Sequence, residues 1–295
     1  MSGQTGIEWT DATWNPVTGC TEVSPGCDHC YAKTFAERWR GTEGHYFERG
    51  FDVQLRPDKL TLPLTWRKPK RIFVNSMSDL FHDQVPDDFI AQVFAVMTVA
   101  HRHTFQVLTK RHGRMRSLLN SGAFQTAAAE HMLSMTDPDE VKDAGDPFPL
   151  PNVWLGVSTE NQQWADIRIP ALLDTPAAVR FISAEPLLGP IYLPFKWTTG
   201  QPRIDWVIAG GESGRGARPI HPDWPRVLRD ICTSAGMPFL FKQWGEFRPA
   251  PSYVPRPSPA WQRDFEKWGM SRVGKKAAGR ELDGRTWDEY PAVAS

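Results

Sequence analysis

Short apolar segments that alternate with helical stretches constrain the fold of this chain more than any other feature of its sequence. Continuous apolar runs of this length are typical of strands covered on both faces, as in parallel sheets. The segments are rich in Val, Ile and Phe, and an earlier strand is predicted near Gly6–Thr10. They comprise Arg71–Asn75, Thr104–Leu108, Val153–Val157, Val179–Ser183, Asp205–Ala209 and Pro238–Lys242.

Helix signals lie between these apolar segments. Pro86–Ala100 starts with a proline and two aspartates, which suit the first turn of a helix. Asp223–Ala235 is amphipathic and is followed by Gly236, a common helix stop. Further helices are predicted at Gly113–Leu119, at Phe124–Met135, and at Asn161–Leu173 in two pieces broken by Pro170.

Strand–helix alternation predicts an α/β fold with a parallel sheet. A complete or partial barrel is favoured over an open doubly wound sheet, because each strand runs into a polar or glycine-bearing loop. In a barrel these loops gather at one mouth, where active sites form. We predict a barrel domain over residues 1–247 with an insertion at 120–151. Residues 248–295 are predicted to be a proline-rich linker and a C-terminal extension that packs on the barrel.

Overall charge gives no indication of a nucleic-acid or membrane partner, since 34 Lys plus Arg balance 34 Asp plus Glu. Residues 101–116 are locally basic, which suits either a solvated edge or a rim that attracts phosphate. The N-terminus lacks the apolar core of a signal peptide, and no apolar run approaches the roughly 20 residues that span a bilayer. We therefore expect a cytoplasmic protein, in which thiols stay reduced.

Three of the four cysteines, Cys20, Cys27 and Cys30, fall within eleven residues. A Pro-Gly pair between them bends the chain, so the three sulfurs can converge on one centre. Three thiolates on a [4Fe–4S] cluster leave one iron free for another ligand. A zinc site completed by a histidine, or three uncoordinated thiols, are the alternatives. Cys232 stands alone in a predicted helix and is interpreted as a core residue.

Several motifs resemble the phage-associated three-cysteine-motif family, which is grouped with radical S-adenosylmethionine enzymes. They are IEWTDATWNPVTGCTEVSPGCDHCYA, AEPLLGP, VIAGGESG, FKQWGE and GKKAAGRELDGRTWDE. The resemblance implies a partial (β/α)6-type TIM-like barrel, a [4Fe–4S] cluster on Cys20, Cys27 and Cys30, and S-adenosylmethionine. The first cysteine gap is longer than the usual Cys-x3-Cys of that superfamily. His29 occupies the place of its usual aromatic residue and is expected beside the adenine.

Polar loops that follow the strands supply the candidate ligands for S-adenosylmethionine. Each of these residues also has a structural interpretation as a helix cap or loop residue. The candidates are Ser76, Ser78 and Asp79 for the methionine amino group; Ser158, Glu160 and Asn161 for the ribose; Arg168 for the carboxylate; Glu185 without an assigned contact; and Gly210, Gly211 and Glu212 for the adenine or a phosphate.

Two classes of function follow from this sequence. The first is an enzyme that cleaves S-adenosylmethionine reductively to a 5′-deoxyadenosyl radical and therefore needs an electron donor. The basic segment, the thirteen tryptophans and the phage association favour a nucleic acid or nucleotide substrate. The second class is a zinc-stabilised non-enzymatic binding protein that acts with a partner protein. A redox protein with a four-ligand cluster would need Cys232 near the other cysteines.

Overall fold

The computed structural model describes residues 5–136, 148–249 and 269–292. In this part of the chain, strands β1 to β13 span, in order, Ala12–Trp14, Val17–Thr18, Gln54–Leu55, Arg71–Val74, Thr104–Thr109, Val153–Ser158, Val179–Ala184, Trp206–Gly210, Phe239–Gln243, Phe247–Pro249, Met270–Arg272, Glu281–Leu282 and Arg285–Thr286. Helices α1 to α8 span Tyr31–Glu37, Asp87–Val99, His112–Leu119, Gly122–Leu133, Gln162–Leu173, Phe195–Thr199, Asp223–Ala235 and Lys275–Ala278.

Seven parallel strands form the main sheet, in the order β1-β4-β5-β6-β7-β8-β9. The sheet curls into a partial (β/α) barrel, which confirms the predicted fold class. Side chains from strands that are not neighbours meet inside the curl. The ring centroid of Trp9 lies 4.5 Å from that of Phe73 on β4, 6.2 Å from that of Phe181 on β7 and 6.3 Å from that of Trp206 on β8. This aromatic packing fills the interior that a half-open sheet would otherwise expose.

The six apolar segments that the sequence marks as strands are all strands, because they are buried on both faces of the sheet. The earlier strand is shifted: β1 lies at Ala12–Trp14 rather than at Gly6–Thr10. Residues 7–10 form a turn instead, in which Trp9 leaves the sheet and enters the barrel interior. Its indole packs in one cluster with residues of β4, β6, β7, β8 and β9.

Helix α5 differs from its prediction, because it runs unbroken through Pro170. Asn161 caps the helix by accepting a hydrogen bond from the backbone N–H of Trp164 at 3.2 Å. Pro170 is exposed and lies in the last turn, while Ala171 and Leu172 beyond it are buried. Burial of this last turn outweighs the lost backbone hydrogen bond. Helix α7 has its predicted bounds, and Gly236 ends it in the left-handed conformation with φ 62°.

The C-terminal segment contacts the free edge of the barrel. Phe241 of β9 donates a backbone hydrogen bond to the carbonyl of Trp287 at 2.9 Å, and Trp206 Nε1 donates to the carbonyl of Glu289 at 2.9 Å. Tyr290 reaches across to the N-terminal turn, where its hydroxyl donates to the carbonyl of Glu8 at 3.2 Å. The domain boundary at residue 247 stays a prediction. The proline-rich linker and residues 137–147 of the insertion lie outside the described residues.

No helix in the described ranges is both long and apolar enough to pass through a membrane.

Candidate functional site

The three clustered cysteines lie in one segment between β2 and α1. Gly19 precedes Cys20 with φ 86°, and a Cβ at this position would lie 2.1 Å from a neighbouring carbonyl oxygen, so only glycine fits. Cys27 ends a short 3-10 turn that starts at Pro25, and Cys30 directly precedes α1. The fold therefore fixes the backbone at each of the three cysteines. We call residues 20–30 the cysteine loop.

The cysteine loop covers a cavity of about 690 Å³ at the carboxyl ends of the parallel strands. All three cysteines line it, and none of them forms a disulfide. Residues from the ends of six strands, β4 to β9, face the same cavity, as expected for a barrel mouth. They include Asn75, Ser76, Ser78, Asp79, Thr109, Lys110, Ser158, Glu185, Gly211, Glu212 and Gln243.

The three thiols supply the donors that an iron–sulfur cluster uses. They are free and line one cavity. A [4Fe–4S] cluster takes each thiolate at a different iron, and three thiolates leave one iron for another ligand. The donor set of the cysteine loop therefore fits such a cluster.

The Cys20 thiol is half-buried and lies near Asp79 and Arg111. Burial, with the negative charge of Asp79 nearby, raises the pKa of Cys20 to about 12. Its proton is therefore retained at neutral pH unless a metal replaces it. Next to it, Thr21 Oγ1 accepts a hydrogen bond from Arg111 Nη2 at 2.7 Å and lies 2.9 Å from His82 Nε2.

Eight of the residues predicted to bind S-adenosylmethionine line the cavity, but several of them already form hydrogen bonds within the protein. The Asp79 carboxylate accepts hydrogen bonds from Thr109 Oγ1 at 2.7 Å and from the backbone N–H groups of Phe81 and Lys110, both at 3.0 Å. Asp79 therefore orders its own loop, as its alternative interpretation held. The cavity-lining set is His29, Ser76, Ser78, Asp79, Ser158, Glu185, Gly211 and Glu212.

Four predicted residues do not line the cavity: Glu160, Asn161, Arg168 and Gly210. Asn161 is used as the cap of α5, and Gly210 ends β8 against Lys242. Arg168, expected at a methionine carboxylate, has no exposed surface. Its Nη1 donates to Glu160 Oε2 and to the carbonyl of Ser158, both at 2.8 Å.

The buried pair of Glu160 and Arg168 supports the cysteine loop from the β6 side. Glu160 Oε1 accepts from the backbone N–H of Gly26 at 3.4 Å. The guanidinium lies 4.1 Å from the ring centroid of Trp164. Its Nε and Nη2 find no hydrogen-bond partner in the described part of the chain. Burial lowers the pKa of Arg168, and Glu160 opposes that effect.

Glu212 holds the cysteine loop from the β8 side. Its carboxylate accepts from Arg218 N at 2.8 Å, Nε at 2.9 Å and Nη2 at 2.6 Å, and lies 3.1 Å from His29 Nδ1. Arg218 also donates to Asp28 Oδ2 and to the carbonyl of Pro25, both at 2.9 Å. Burial favours a raised pKa for Glu212, but the Arg218 hydrogen bonds outweigh it and lower that pKa. His29 is therefore engaged by a carboxylate.

Two contacts in the cavity were not predicted as such. Lys242 Nζ lies 2.7 Å from Glu185 Oε1. The carboxylate at the end of β7 is therefore neutralised by a lysine of β9, which is two strands away in the sheet. Tyr31 donates its hydroxyl to the carbonyl of Ser76 at 2.6 Å. A signal for Tyr31 exists in the sequence, because it directly follows Cys30. Nothing in the sequence indicates that Arg218 reaches the cysteine loop.

The chain matches a family model over residues 4–291, described as protein of unknown function (DUF5131). No curated protein matches the chain. Among solved structures, a spore photoproduct lyase complexed with dinucleoside spore photoproduct is similar at 10% sequence identity, with a TM-score of 0.41. That similarity covers 78% of this chain and 63% of the lyase chain, so this chain corresponds to less than two thirds of the lyase.

Proposed function

For this chain, which belongs to the DUF5131 family, we propose the function of a radical S-adenosylmethionine-type iron–sulfur enzyme. One observation carries the proposal: Cys20, Cys27 and Cys30 all line one cavity at the barrel mouth as free thiols. The motif resemblance to the phage-associated three-cysteine-motif family supports it independently. Under this proposal the three thiols are the cluster ligands.

The chain itself supplies the binding site and its surroundings. When a [4Fe–4S] cluster and S-adenosylmethionine are bound, an electron from an external donor splits the sulfonium into methionine and a 5′-deoxyadenosyl radical. Trp9, Phe73 and Leu108 form an apolar wall of the cavity, which limits water around the reacting atoms. The proposed contacts to the nucleoside are the predicted residues that line this cavity.

Charged groups in the cavity provide further binding chemistry. Lys110 has no ion-pair partner in the described residues, and it is available to a carboxylate or phosphate. The Glu185–Lys242 pair presents an acceptor and a donor side by side. Arg168 acts behind the loop: its buried positive charge opposes the negative charge of thiolates at the mouth.

We further propose a cytoplasmic enzyme with a nucleic acid or nucleotide substrate and a separate protein as electron donor. The thirteen tryptophans no longer support this substrate, because Trp9, Trp14, Trp154 and Trp206 are core residues. The basic segment 101–116 does not support it either, since its arginines at 111, 114 and 116 each lie within 4 Å of an aspartate.

Anaerobic reconstitution with iron and sulfide tests the proposal. The wild-type protein should bind about four irons per chain and should release 5′-deoxyadenosine when S-adenosylmethionine and a reductant are added. Cys27→Ala should lose both properties, because it removes a ligand. Cys232→Ala is the matched control, because Cys232 is buried in α7 away from the cavity, and it should keep both.

A Cys27→Ala protein that retains its cluster and its cleavage of S-adenosylmethionine would contradict the proposal. A wild-type protein that instead binds about one zinc and has no affinity for S-adenosylmethionine would indicate the zinc-stabilised binding protein. If Cys232→Ala alone abolishes the cluster, a four-ligand redox centre is the better interpretation.

A further inference from the structure

A second groove of about 620 Å³ adjoins the cysteine cavity on the outer side of α1. The two spaces share lining residues, so the groove lies directly beside the cavity that the thiols line. The shared residues are Ile7, His29, Tyr31, Ser76 and Ser213. We call this space the arginine groove, after Arg38 and Arg215, which lie on its walls.

The arginine groove is positively charged. Arg38 and Arg215 are exposed, and neither has a carboxylate partner among the described residues. The one acidic residue that lines the groove, Asp28, already accepts a hydrogen bond from Arg218 at 2.9 Å. Two unpaired guanidinium groups therefore face an open space that leads to the barrel mouth, and guanidinium is well suited to phosphate oxygens.

Aromatic rings lie between these cations and the cysteine cavity. Tyr31 is 57% exposed although its hydroxyl is held by the carbonyl of Ser76, so its ring face is fixed and open. Phe35 is half-buried in the groove wall, and the ring of Tyr46 is already covered by Arg56, whose guanidinium lies 4.0 Å from its centroid. Tyr31 is therefore the ring that offers an open face. Fixed aromatic faces beside cations are the usual surface for stacked bases of a single strand.

The cysteine cavity itself has unmet hydrogen-bonding groups that suit a base. Asn75 and Gln243 are 2% and 3% exposed, and both line the cavity. Asn75 Nδ2 and Gln243 Oε1 find no partner within the described residues. These atoms are enclosed in the cavity wall, and satisfying them needs a ligand that carries both donors and acceptors, as a nucleobase does.

We propose that the arginine groove binds single-stranded nucleic acid and directs one of its nucleotides into the cysteine cavity. Phosphates lie on Arg38 and Arg215, and a base stacks on the exposed ring of Tyr31. This inference rests on the proposed function, and it assigns the substrate class to a different surface from the basic segment 101–116. An acidic peptide would match the charge of the groove but not its aromatic rings.

Fluorescence anisotropy with a labelled single-stranded oligonucleotide of about 12 nucleotides tests the inference. The full-length chain is titrated before and after cluster reconstitution, over a series of salt concentrations. The variant Arg38→Gln/Arg215→Gln should bind at least about tenfold more weakly. Its salt dependence should fall by about 1.4 in logarithmic slope, at about 0.7 for each lost phosphate contact.

The matched control is Arg67→Gln/Lys68→Gln, which removes the same charge from exposed residues at the amino ends of the strands. Its affinity should stay within about twofold of wild type. Equal loss in both variants, no loss in the groove variant, or no binding by wild type would overturn the inference. So would competition by polyglutamate of equal length as effective as that by unlabelled oligonucleotide.

The two proposals fail separately. Release of 5′-deoxyadenosine without oligonucleotide binding leaves the enzyme and removes this substrate class. Groove-dependent binding by a protein that forms no cluster supports the groove and removes the radical chemistry.

Discussion

Two glutamate–arginine pairs support the cysteine loop, and they differ in how completely their polar atoms are satisfied. Glu212 and Arg218 form a partly exposed network in which the carboxylate meets three donors of the arginine. Glu160 and Arg168 are both at most 1% exposed, yet two guanidinium nitrogens of Arg168 remain without partners in the described residues.

The two pairs therefore have different roles: one attaches the cysteine loop to the barrel, and the other acts on the loop through its charge. Glu212 and Arg218 have bonds directed into the loop itself, so removing them releases the loop. Arg168 touches no loop atom by a hydrogen bond and instead places a buried positive charge behind the cysteines. Replacing both residues of such a buried pair with apolar residues changes stability little. Removing only one residue is costly, because it leaves the charge of the other buried without a partner.

The largest effect on stability is expected for Arg168→Met. Loss of the guanidinium leaves Glu160 buried without its cation, and the free energy of unfolding should fall by about 3–5 kcal/mol. Urea denaturation of the full chain measures this change. Adding Glu160→Gln should restore part of the loss, because no buried charge then remains.

Arg203→Met is the control for this first experiment, since its ion pair with Asp205 is solvent-exposed on the arginine side. It should change the free energy of unfolding by less than about 1 kcal/mol. A loss in Arg168→Met as small as in this control would show that the buried pair is not the electrostatic element described above.

A smaller and more local effect is expected for Glu212→Gln. The amide cannot bind Arg218 and His29 together as the carboxylate does, and about 1–3 kcal/mol should be lost. Hydrogen exchange measured by mass spectrometry should become faster in residues 24–30 than elsewhere in the barrel. Glu43→Gln, an exposed acid with no hydrogen bond in the described structure, is the control and should leave the exchange pattern unchanged. Uniform acceleration across the barrel would contradict a specific attachment role.

The smallest effect concerns pH. The pKa of Glu212 is lowered from its ordinary 4.5 mainly because Arg218 hydrogen bonds outweigh the effect of burial. A carboxyl group whose pKa is lowered by folding stabilises the folded state when the pH is above the ordinary pKa of that group. The stabilisation is lost as the pH falls through the lowered pKa. His29 and Arg218 contact the carboxylate directly, and Asp28 lies behind Arg218.

Wild type and Glu212→Gln should therefore differ in unfolding free energy at about pH 6. They should converge only as the pH falls through the lowered pKa of Glu212, which lies below the ordinary 4.5. Parallel urea titrations at a series of pH values measure the difference. A gap that stays constant down to the most acidic pH would assign the effect to packing and not to charge.

The strands and the mouth of the barrel were predictable because they depend on local patterns. Val153–Val157 is apolar throughout because both of its faces are covered, and the polar loop that follows must then lie at the carboxyl edge. The pairing of polar groups was not predictable. Arg168 pairs with Glu160, which lies eight residues away, and Arg218 pairs with Asp28 at a separation of 190 residues. These pairings depend on distances between side chains in the folded structure, which patterns in a single sequence do not give.

The contact between Tyr290 and Glu8 bears on how the chain acquires its structure during synthesis. These residues are 282 positions apart, and Tyr290 packs against the aromatic cluster that contains Trp9. At about 5–20 residues per second, translation delivers the second partner roughly 14 to 56 s after the first. The contact can therefore form only after almost the whole polypeptide has been synthesised, so it belongs to the last steps of folding on or after the ribosome.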